Sequence, residues 1–171
     1  MKEKAFNTLF GNNFSQIAWV VPDIEASAKY FNEMMGVPRF LKMENLKSNE
    51  LEGTYNGQPA EFEFHLYLAI SGNTMLELIQ PISGSSIYTD FLTSQKNGGV
   101  QHIAYSVQET AFEEALSQLT EKGVQVIQSL VLPVAKVAYF DTYAEIGVAT
   151  EIIGVTEAGI HFLEQLNSGD Y

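Results

Sequence analysis

A short stretch of this 171-residue chain occurs twice, and this repeat constrains the fold more than any other feature. Residues 98–107 read GGVQHIAYSV and residues 14–21 read FSQIAWVV, so both contain the pattern Ile-Ala-aromatic-x-Val. In each copy alternate residues share a face, which is typical of a β-strand. Gln16 stands in the first copy where His102 stands in the second. Two side chains that can bind a metal therefore occupy equivalent places in two copies of one unit.

The first half of the chain predicts one strand, one helix and three further strands. Asp23 is a typical N-cap residue and Gly36 a typical helix end, so the helix is expected between them. In residues 61–68 apolar and polar side chains alternate, with Phe62, Phe64, Leu66 and Leu68 on the buried face and Glu61, Glu63 and His65 on the other. The predicted elements are a strand at 14–21, a helix over 24–35, and strands over 37–41, 61–68 and 74–79, with a polar stretch over 42–59.

The second half repeats this order. Thr110 and Glu113 form a capping-box pattern for a helix that ends before Gly123, and three strands follow at 124–131, 135–142 and 147–153. The sequence therefore predicts an α+β fold, a single domain over 14–154. Its two βαβββ modules, 14–82 and 98–154, are expected to be related by pseudo-twofold symmetry and to form a cupped mixed sheet. Residues 155–171 are predicted to form a C-terminal helix and tail. The apolar side chains of this helix, Ile160, Leu163 and Leu166, are expected to pack outside the domain or against a partner chain.

Composition narrows the partners of the chain. Nine Lys and Arg against 21 Asp and Glu give a net charge of −12, which argues against binding to nucleic acid or to an anionic membrane. The absence of Cys excludes disulfides and thiolate metal sites and is typical of a reducing compartment. No apolar run approaches the ~20 residues of a membrane span. We therefore expect a cytoplasmic protein that acts on a small molecule.

Each module ends with a strand that carries a carboxylate among apolar neighbours, Glu77 in the first and Glu151 in the second. Such a residue is costly unless it faces solvent, is paired or binds a cation. Taken singly, the two carboxylates could face solvent and His102 could be a hydrogen-bonded packing residue. If the modules are related by a pseudo-twofold axis, however, Gln16, Glu77, His102 and Glu151 converge. This mostly oxygen set suits a divalent ion, Mn, Co, Ni, Mg or Fe, better than structural Zn.

At these positions the chain resembles the vicinal oxygen chelate superfamily, which includes glyoxalase I, methylmalonyl-CoA epimerase, extradiol dioxygenases and bleomycin-resistance proteins. The run Gly72-Asn73-Thr74, Glu77, Pro81, Ser86, Phe91 and Gly98-Gly99-x-x-His102 is similar in order and spacing to the epimerase-like branch. The resemblance implies that Gln16, Glu77, His102 and Glu151 are the metal ligands. Gln16 departs from the family, where the first ligand is commonly His. Ring cleavage is set aside, because its 2-His-1-carboxylate site needs two His.

The resemblance also implies an activity. It indicates a metal-dependent isomerase, epimerase or lyase that removes a proton next to the carbonyl of a 2-oxo or acyl-thioester substrate, and a homodimer. Glu151 and Glu61 are the two candidate bases. Glu61 lies with Glu63 and His65 on the polar face of its strand, so it could look into the cup or could be a solvated edge carboxylate. Ser86, Phe91 and Tyr105 are the candidate substrate-binding residues. The Ser86 hydroxyl could instead cap a helix. The alternative function is a metal-free binding protein that holds a hydrophobic small molecule in the same cup.

Overall fold

The computed structural model describes residues 11–171, which form ten strands and five α-helices. No helix in this part of the chain is long and apolar enough to cross a membrane. The strands are β1 (Phe14–Val20), β2 (Leu41–Lys47), β3 (Thr54–Tyr55), β4 (Gln58–Pro59), β5 (Glu63–Ser71), β6 (Thr74–Ser83), β7 (Gly99–Gln108), β8 (Val126–Val131), β9 (Ala135–Phe140) and β10 (Ala149–Val155). The helices are α1 (Ile24–Met35), α2 (Ile87–Ser94), α3 (Phe112–Thr120), α4 (Tyr143–Ile146) and α5 (Glu157–Ser168).

All ten strands form one mixed sheet in the order β2-β5-β6-β1-β7-β10-β9-β8-β3-β4. The repeated strands β1 and β7 are antiparallel neighbours at its centre, and Ile17 lies directly opposite its counterpart Ile103. On either side of this pair, β6 runs parallel to β1 and β10 runs parallel to β7. Two copies of one strand arrangement thus meet across a local twofold axis. The predicted α+β class and paired modules are confirmed.

The alternation of side chains along the strands separates two faces of the sheet. On the outer face, α1 covers a cluster that includes Tyr67 and Leu78, and α3 covers another that includes Phe140 and Ile152. The residues that alternate with these along the strands, such as Ile79 and Tyr139, point to the inner face and form the largest cluster. The expected buried side chains Phe62, Phe64, Leu66 and Leu68 belong to this inner cluster. The inner face is therefore the cup.

Local structure departs from expectation in several places. The strand predicted over 37–41 does not form, since β2 begins at Leu41, and residues 143–146 form the unpredicted helix α4. The stretch over 42–59 holds β2 and the β3–β4 hairpin, and β3 pairs with β8, so a segment of the first module extends the second. The capping box at Thr110 does not form, because residues 109–111 make a 3₁₀ turn and the N-cap of α3 is Ala111, without a side-chain bond. The short strands β3 and β4 and the 3₁₀ turn lack the length over which hydrophobic periodicity can be detected.

The C-terminal helix α5 lies across the cup, which corrects the expectation that it packs outside the domain. Leu166 is buried in the inner cluster, and Gly159 and Leu163 contribute to the cavity wall, while Ile160 is exposed. The end of the chain is held by Arg39: its guanidinium lies 4.7 Å above the Tyr171 ring and donates to the Gly169 carbonyl, and the Tyr171 hydroxyl donates to the Arg39 carbonyl. Sequence periodicity identified the helix, but its position depends on these long-range contacts.

Substituting Gly159 by Ala is expected to destabilise the protein by about 1–3 kcal/mol, because the added Cβ would collide with the Val134 carbonyl oxygen and push α5 away from the sheet. Urea unfolding measures this change. The matched control is Ile160→Ala, one position along the same helix at an exposed site, where a change within about 0.5 kcal/mol is expected. Equal stability of Gly159→Ala and the wild type would contradict the close packing of α5.

Candidate metal centre and cavity

Strand register brings the predicted ligand residues together on the inner face. Ala18 of β1 lies opposite both Glu77 and His102, and Ala104 of β7 lies opposite both Gln16 and Glu151. These two alanines are equivalent in the repeat, and their small side chains leave room between the longer ones. We call the four side chains around them the four-residue cluster: Gln16, Glu77, His102 and Glu151.

The polar atoms of the four-residue cluster lie within contact of one another. Gln16 Nε2 donates to Glu77 Oε2 at 3.1 Å and to Glu151 Oε2 at 3.0 Å, and it lies 3.3 Å from His102 Nε2. His102 Nε2 lies 3.0 Å from Glu77 Oε2 and 3.3 Å from Glu151 Oε2. Each residue is at most 6% exposed. The two carboxylates are therefore neither solvated nor isolated, which removes the reading that they face solvent.

The orientation of His102 is set by its sequence neighbour Gln101. The Gln101 side chain is buried, and its Oε1 lies 2.6 Å from His102 Nδ1. Its Nε2 donates a hydrogen bond to the Tyr143 hydroxyl at 2.5 Å. Because Gln101 Oε1 can only accept, Nδ1 carries a proton and Nε2 is directed at the carboxylates. Sequence reasoning missed Gln101 and Tyr143, since Tyr143 lies in the unpredicted helix α4 and Gln101 is on the opposite strand phase from His102.

His102 offsets part of the negative charge of the two carboxylates in the cluster. Burial lowers the pKa of His102, but the charge of Glu151 and hydrogen bonds to Glu151 and Glu77 outweigh it and raise the pKa to about 9. Burial raises the pKa of Glu77, opposed by the hydrogen bond to His102. A proton on the imidazole thus compensates the buried carboxylates, and a bound cation would take over this role.

The donor set fits a divalent metal. Among the described residues, Glu77, His102 and Glu151 form a group whose ligand atoms all lie within 4.8 Å of one another. Adjacent ligands at bond lengths of about 2.1 Å in an octahedral site are separated by about 3.0 Å. The observed separations of 3.0 and 3.3 Å between His102 Nε2 and the two carboxylates approach this value. Gln16 would complete the set through its carboxamide oxygen. A 180° rotation of the terminal amide group brings Oε1 to the position that Nε2 occupies here.

A cavity of about 80 Å³ opens above the cluster. Its walls are apolar, with Phe64, Leu66 and Leu68 from β5 and Phe162 and Leu163 from α5. Its polar floor holds Gln16, Glu77, Glu151, Tyr88 and Tyr139. None of the residues that line it in the described chain is Lys or Arg. The cavity therefore suits a small apolar group whose reacting atoms meet the carboxylates.

Glu61, Glu63 and His65 do not look into the cup, and Glu61 is the solvated carboxylate that the sequence also allowed. Phe64 and Leu66 occupy the inner face of β5, so the alternate residues point outward, and Glu61 precedes the strand at an exposed position. His65 Nδ1 instead accepts a hydrogen bond from the Asn45 backbone N–H. The phase of this strand and its buried apolar face were predicted correctly, and this apolar face is the one that lines the cavity. Of the two candidate bases, only Glu151 lines the cavity.

The three predicted substrate-binding residues also lie outside this cavity. The Ser86 hydroxyl accepts from the Thr89 backbone N–H and caps α2. Phe91 borders a separate cleft that includes Tyr143, and Tyr105 points to the outer face, where its ring lies 5.7 Å from that of Phe14. The structure thus brings together the four predicted ligands, among them the candidate base Glu151, whereas the three predicted substrate-binding side chains lie elsewhere.

The fold and the cluster together define the class of protein. Two paired βαβββ modules place two carboxylates, on β6 and β10, and a His, on β7, at the base of one cup. Residues 15–139 match the family described as the Glyoxalase/Bleomycin resistance protein/Dioxygenase superfamily. The chain belongs to this superfamily.

Two relatives in sequence and structure are epimerases. The ethylmalonyl-CoA/methylmalonyl-CoA epimerase of Cereibacter sphaeroides is 26% identical over 115 residues, 67% of this chain and 74% of that protein. The methylmalonyl-CoA epimerase of Mycobacterium tuberculosis superimposes with a TM-score of 0.63 at 13% identity, over 91% of this chain and 95% of that one.

A third relative was solved with a ligand. A variant of the Streptomyces coelicolor methylmalonyl-CoA epimerase in complex with 2-nitronate-propionyl-CoA has a TM-score of 0.55 at 17% identity, over 84% of this chain and 96% of that one. At 13% and 17% identity, the similarities to these two solved structures show that the fold is shared.

Replacing Gln101 by Leu is expected to weaken the binding of Mn²⁺ or Co²⁺ about 10- to 100-fold, because the imidazole loses the partner that fixes its tautomer and orientation. Calorimetric titration of each metal measures the affinity. Gln108→Leu, at an exposed position of the same strand, is the matched control and should bind as the wild type does. Wild-type affinity in Gln101→Leu would contradict the orienting role of Gln101.

Proposed function

We propose that the chain is an epimerase or isomerase that moves a proton on the carbon next to the carbonyl of a short acyl thioester. One observation carries this proposal: two buried carboxylates, one from each module, line the polar floor of an apolar cavity, and both contact His102. A hydrogen on such a carbon is acidic only if the negative charge left behind is stabilised on the carbonyl oxygen.

The residues of the site have distinct roles in this reaction. A divalent ion, when bound by the four-residue cluster, supplies Lewis-acid stabilisation of the carbonyl oxygen. Glu151 removes the proton from the carbon, and its place in a buried, apolar setting keeps water from competing. To form the second stereoisomer, the proton that Glu151 takes must be matched by one delivered to the other face of the carbon. Glu77, the counterpart of Glu151 in the other module, delivers its own proton when it begins the reaction protonated, and burial raises its pKa in that direction. Gln101 holds the His102 ring in place.

The similarity to known proteins supports this substrate class. The Cereibacter sphaeroides relative is named an ethylmalonyl-CoA/methylmalonyl-CoA epimerase, and a structural neighbour was solved with a propionyl-CoA analogue. The cavity of about 80 Å³ with apolar walls has room for a short acyl group. The metal, its identity (Mn, Co, Ni, Mg, Fe or Zn) and the enolate chemistry are parts of the proposal. The homodimer and the cytoplasmic location stay predictions.

The apolar walls also favour the second candidate, a binding protein that holds a hydrophobic molecule in the same cavity. The two functions differ in one consequence. An epimerase exchanges the hydrogen next to the carbonyl with solvent, whereas a binding protein leaves it in place.

Hydrogen exchange on methylmalonyl-CoA in D₂O therefore tests the proposed function. The protein is incubated in turn with each of the six metals, and mass spectrometry follows deuterium at the carbon next to the thioester. We expect exchange well above that of the metal-only control with at least one metal. Exchange at the control rate with all six would contradict the proposed epimerase and favour the binding protein.

A further inference from the structure

Two tyrosines at the floor of the cavity form a directed pair. The Tyr88 hydroxyl donates to the Tyr139 hydroxyl at 2.8 Å, and both side chains are at most 2% exposed. The Tyr139 hydroxyl thus accepts one hydrogen bond and keeps its own proton. Within residues 11–171 this proton has no acceptor, although Tyr139 lines the cavity. A buried hydroxyl proton without an acceptor is costly, and a ligand oxygen is the group that could accept it.

The position of Tyr139 places this donor beside the proposed base. Tyr139 of β9 lies opposite Glu151 of β10, and its ring meets the His102 ring edge to face with centroids 5.1 Å apart. Burial raises the pKa of Tyr88 and of Tyr139, so both phenols keep their protons at neutral pH. Tyr139 therefore presents a neutral donor from the strand that pairs with the strand of Glu151.

Behind the pair lies a further donor that fixes its direction. The Gln128 side chain is fully buried, and its Oε1 accepts from the Ile87 backbone N–H at 3.1 Å. Its Nε2 is the buried side-chain polar atom left without a hydrogen bond of ordinary geometry in the described chain. Gln128 acts on the Tyr88 oxygen as a hydrogen-bond donor, and a carboxamide Nε2 can only donate, so this side of Tyr88 offers no acceptor for the Tyr88 proton. The Tyr88 hydroxyl accordingly donates forward to Tyr139, and the chain of donors ends in the cavity.

We propose that the Tyr139 hydroxyl donates a hydrogen bond to the carbonyl oxygen of the substrate and that Tyr88 is the residue that orients it. This inference rests on the proposed function for its substrate class, a neutral carbonyl group carried on a small apolar fragment. When Glu151 removes the neighbouring proton, charge moves to that oxygen and the hydrogen bond from Tyr139 strengthens. Tyr139 is then a catalytic residue and Tyr88 a positioning residue.

A ligand that undergoes no reaction tests the hydrogen bond separately from the activity. Cyclohexanone labelled with ¹³C at its carbonyl is titrated against the wild type and Tyr139→Phe and followed by NMR. We expect the bound carbonyl resonance of the wild type to move downfield of its position in hexane, as a hydrogen bond requires. In Tyr139→Phe this shift should disappear and the affinity fall about five- to tenfold.

Matched variants separate the hydroxyl from the ring. Tyr30→Phe removes an exposed hydroxyl and should bind as the wild type does, whereas Tyr88→Phe should retain part of the shift, since Tyr139 stays but loses its orienting donor. No binding to the wild type, or the same resonance and affinity in Tyr139→Phe, would overturn the inference. A wild-type resonance at its hexane position would also overturn the inference, and this result needs no variant that folds.

The second arm measures hydrogen exchange on methylmalonyl-CoA. Tyr139→Phe is expected to lower kcat about 10²- to 10³-fold with a smaller change in KM, because the hydrogen bond acts mainly on the developing charge. If the wild type shows no exchange, the proposed function fails, while the cyclohexanone titration still decides the role of Tyr139. If exchange occurs and Tyr139→Phe keeps the wild-type kcat, the inference fails and the proposed function stands.

Discussion

Replacing Glu151 by Gln is expected to lower kcat for hydrogen exchange on methylmalonyl-CoA about 10³-fold. The amide keeps the size of the side chain and an oxygen for the metal, but it cannot accept a proton, and general-base catalysis contributes about 10²- to 10⁴-fold. Glu151 is buried beside His102 and lines the cavity, so no solvent-exposed carboxylate can replace it there. The rate is measured by quenching samples at set times and determining their deuterium content by mass spectrometry.

Two further variants make this result specific. Glu114→Gln, at an exposed position of α3, removes one carboxylate far from the cavity and should exchange at the wild-type rate. Glu61→Gln decides between the two bases that the sequence left open, and we expect no loss because Glu61 is exposed outside the cavity. A large loss in Glu61→Gln with a normal rate in Glu151→Gln would contradict the assignment of the base.

Removing the imidazole of His102 is expected to abolish metal binding. His102→Ala deletes the nitrogen that lies 3.0 Å from Glu77 and 3.3 Å from Glu151, and it leaves two buried carboxylates without a cationic partner. We predict about one equivalent of divalent metal per chain in the wild type and less than about a tenth in the variant. Elemental mass spectrometry after dialysis against Mn²⁺ or Co²⁺ and gel filtration measures the content.

The control for this variant is His161→Ala. His161 lies in α5, exposed and 3.4 Å from Glu164, so it carries an imidazole that could bind metal at the surface. Its removal should leave the metal content unchanged. A stoichiometry that falls in His161→Ala but not in His102→Ala would show that the metal binds at the surface.

The two central strands could be predicted because each has its own alternating pattern of side chains and because the same pattern occurs in both modules. Residues 14–21 and 100–107 carry the same alternation, and their pairing places Ile17 opposite Ile103. The same register brings Gln16 and His102 to one face, so the convergence of the cluster followed from the repeat. The single residues would not have sufficed, since a mid-strand Glu or His has several structural roles.

The remainder of the site depends on contacts that the sequence does not encode locally. The pattern of β5 gave the correct alternation, but both faces of this strand are covered, and only the sheet as a whole shows that Phe64 faces the cup. α5 is held by residues distant in sequence: Leu166 is buried in the inner cluster, and Arg39 contacts Tyr171 beyond the end of the helix. The partnership of Tyr88 with Tyr139 joins β9 to α2, a helix that lies between the two modules and has no counterpart in the repeat.

The central claim is that one divalent ion binds within the four-residue cluster, and a crystal structure of the Mn²⁺-loaded protein tests it most directly. We predict an anomalous-scattering peak at about 2.0–2.3 Å from the Gln16 carboxamide oxygen, His102 Nε2 and one oxygen each of Glu77 and Glu151. A fully loaded crystal without a peak at this position, or with its peak on the outer face beside His65, would contradict the claim.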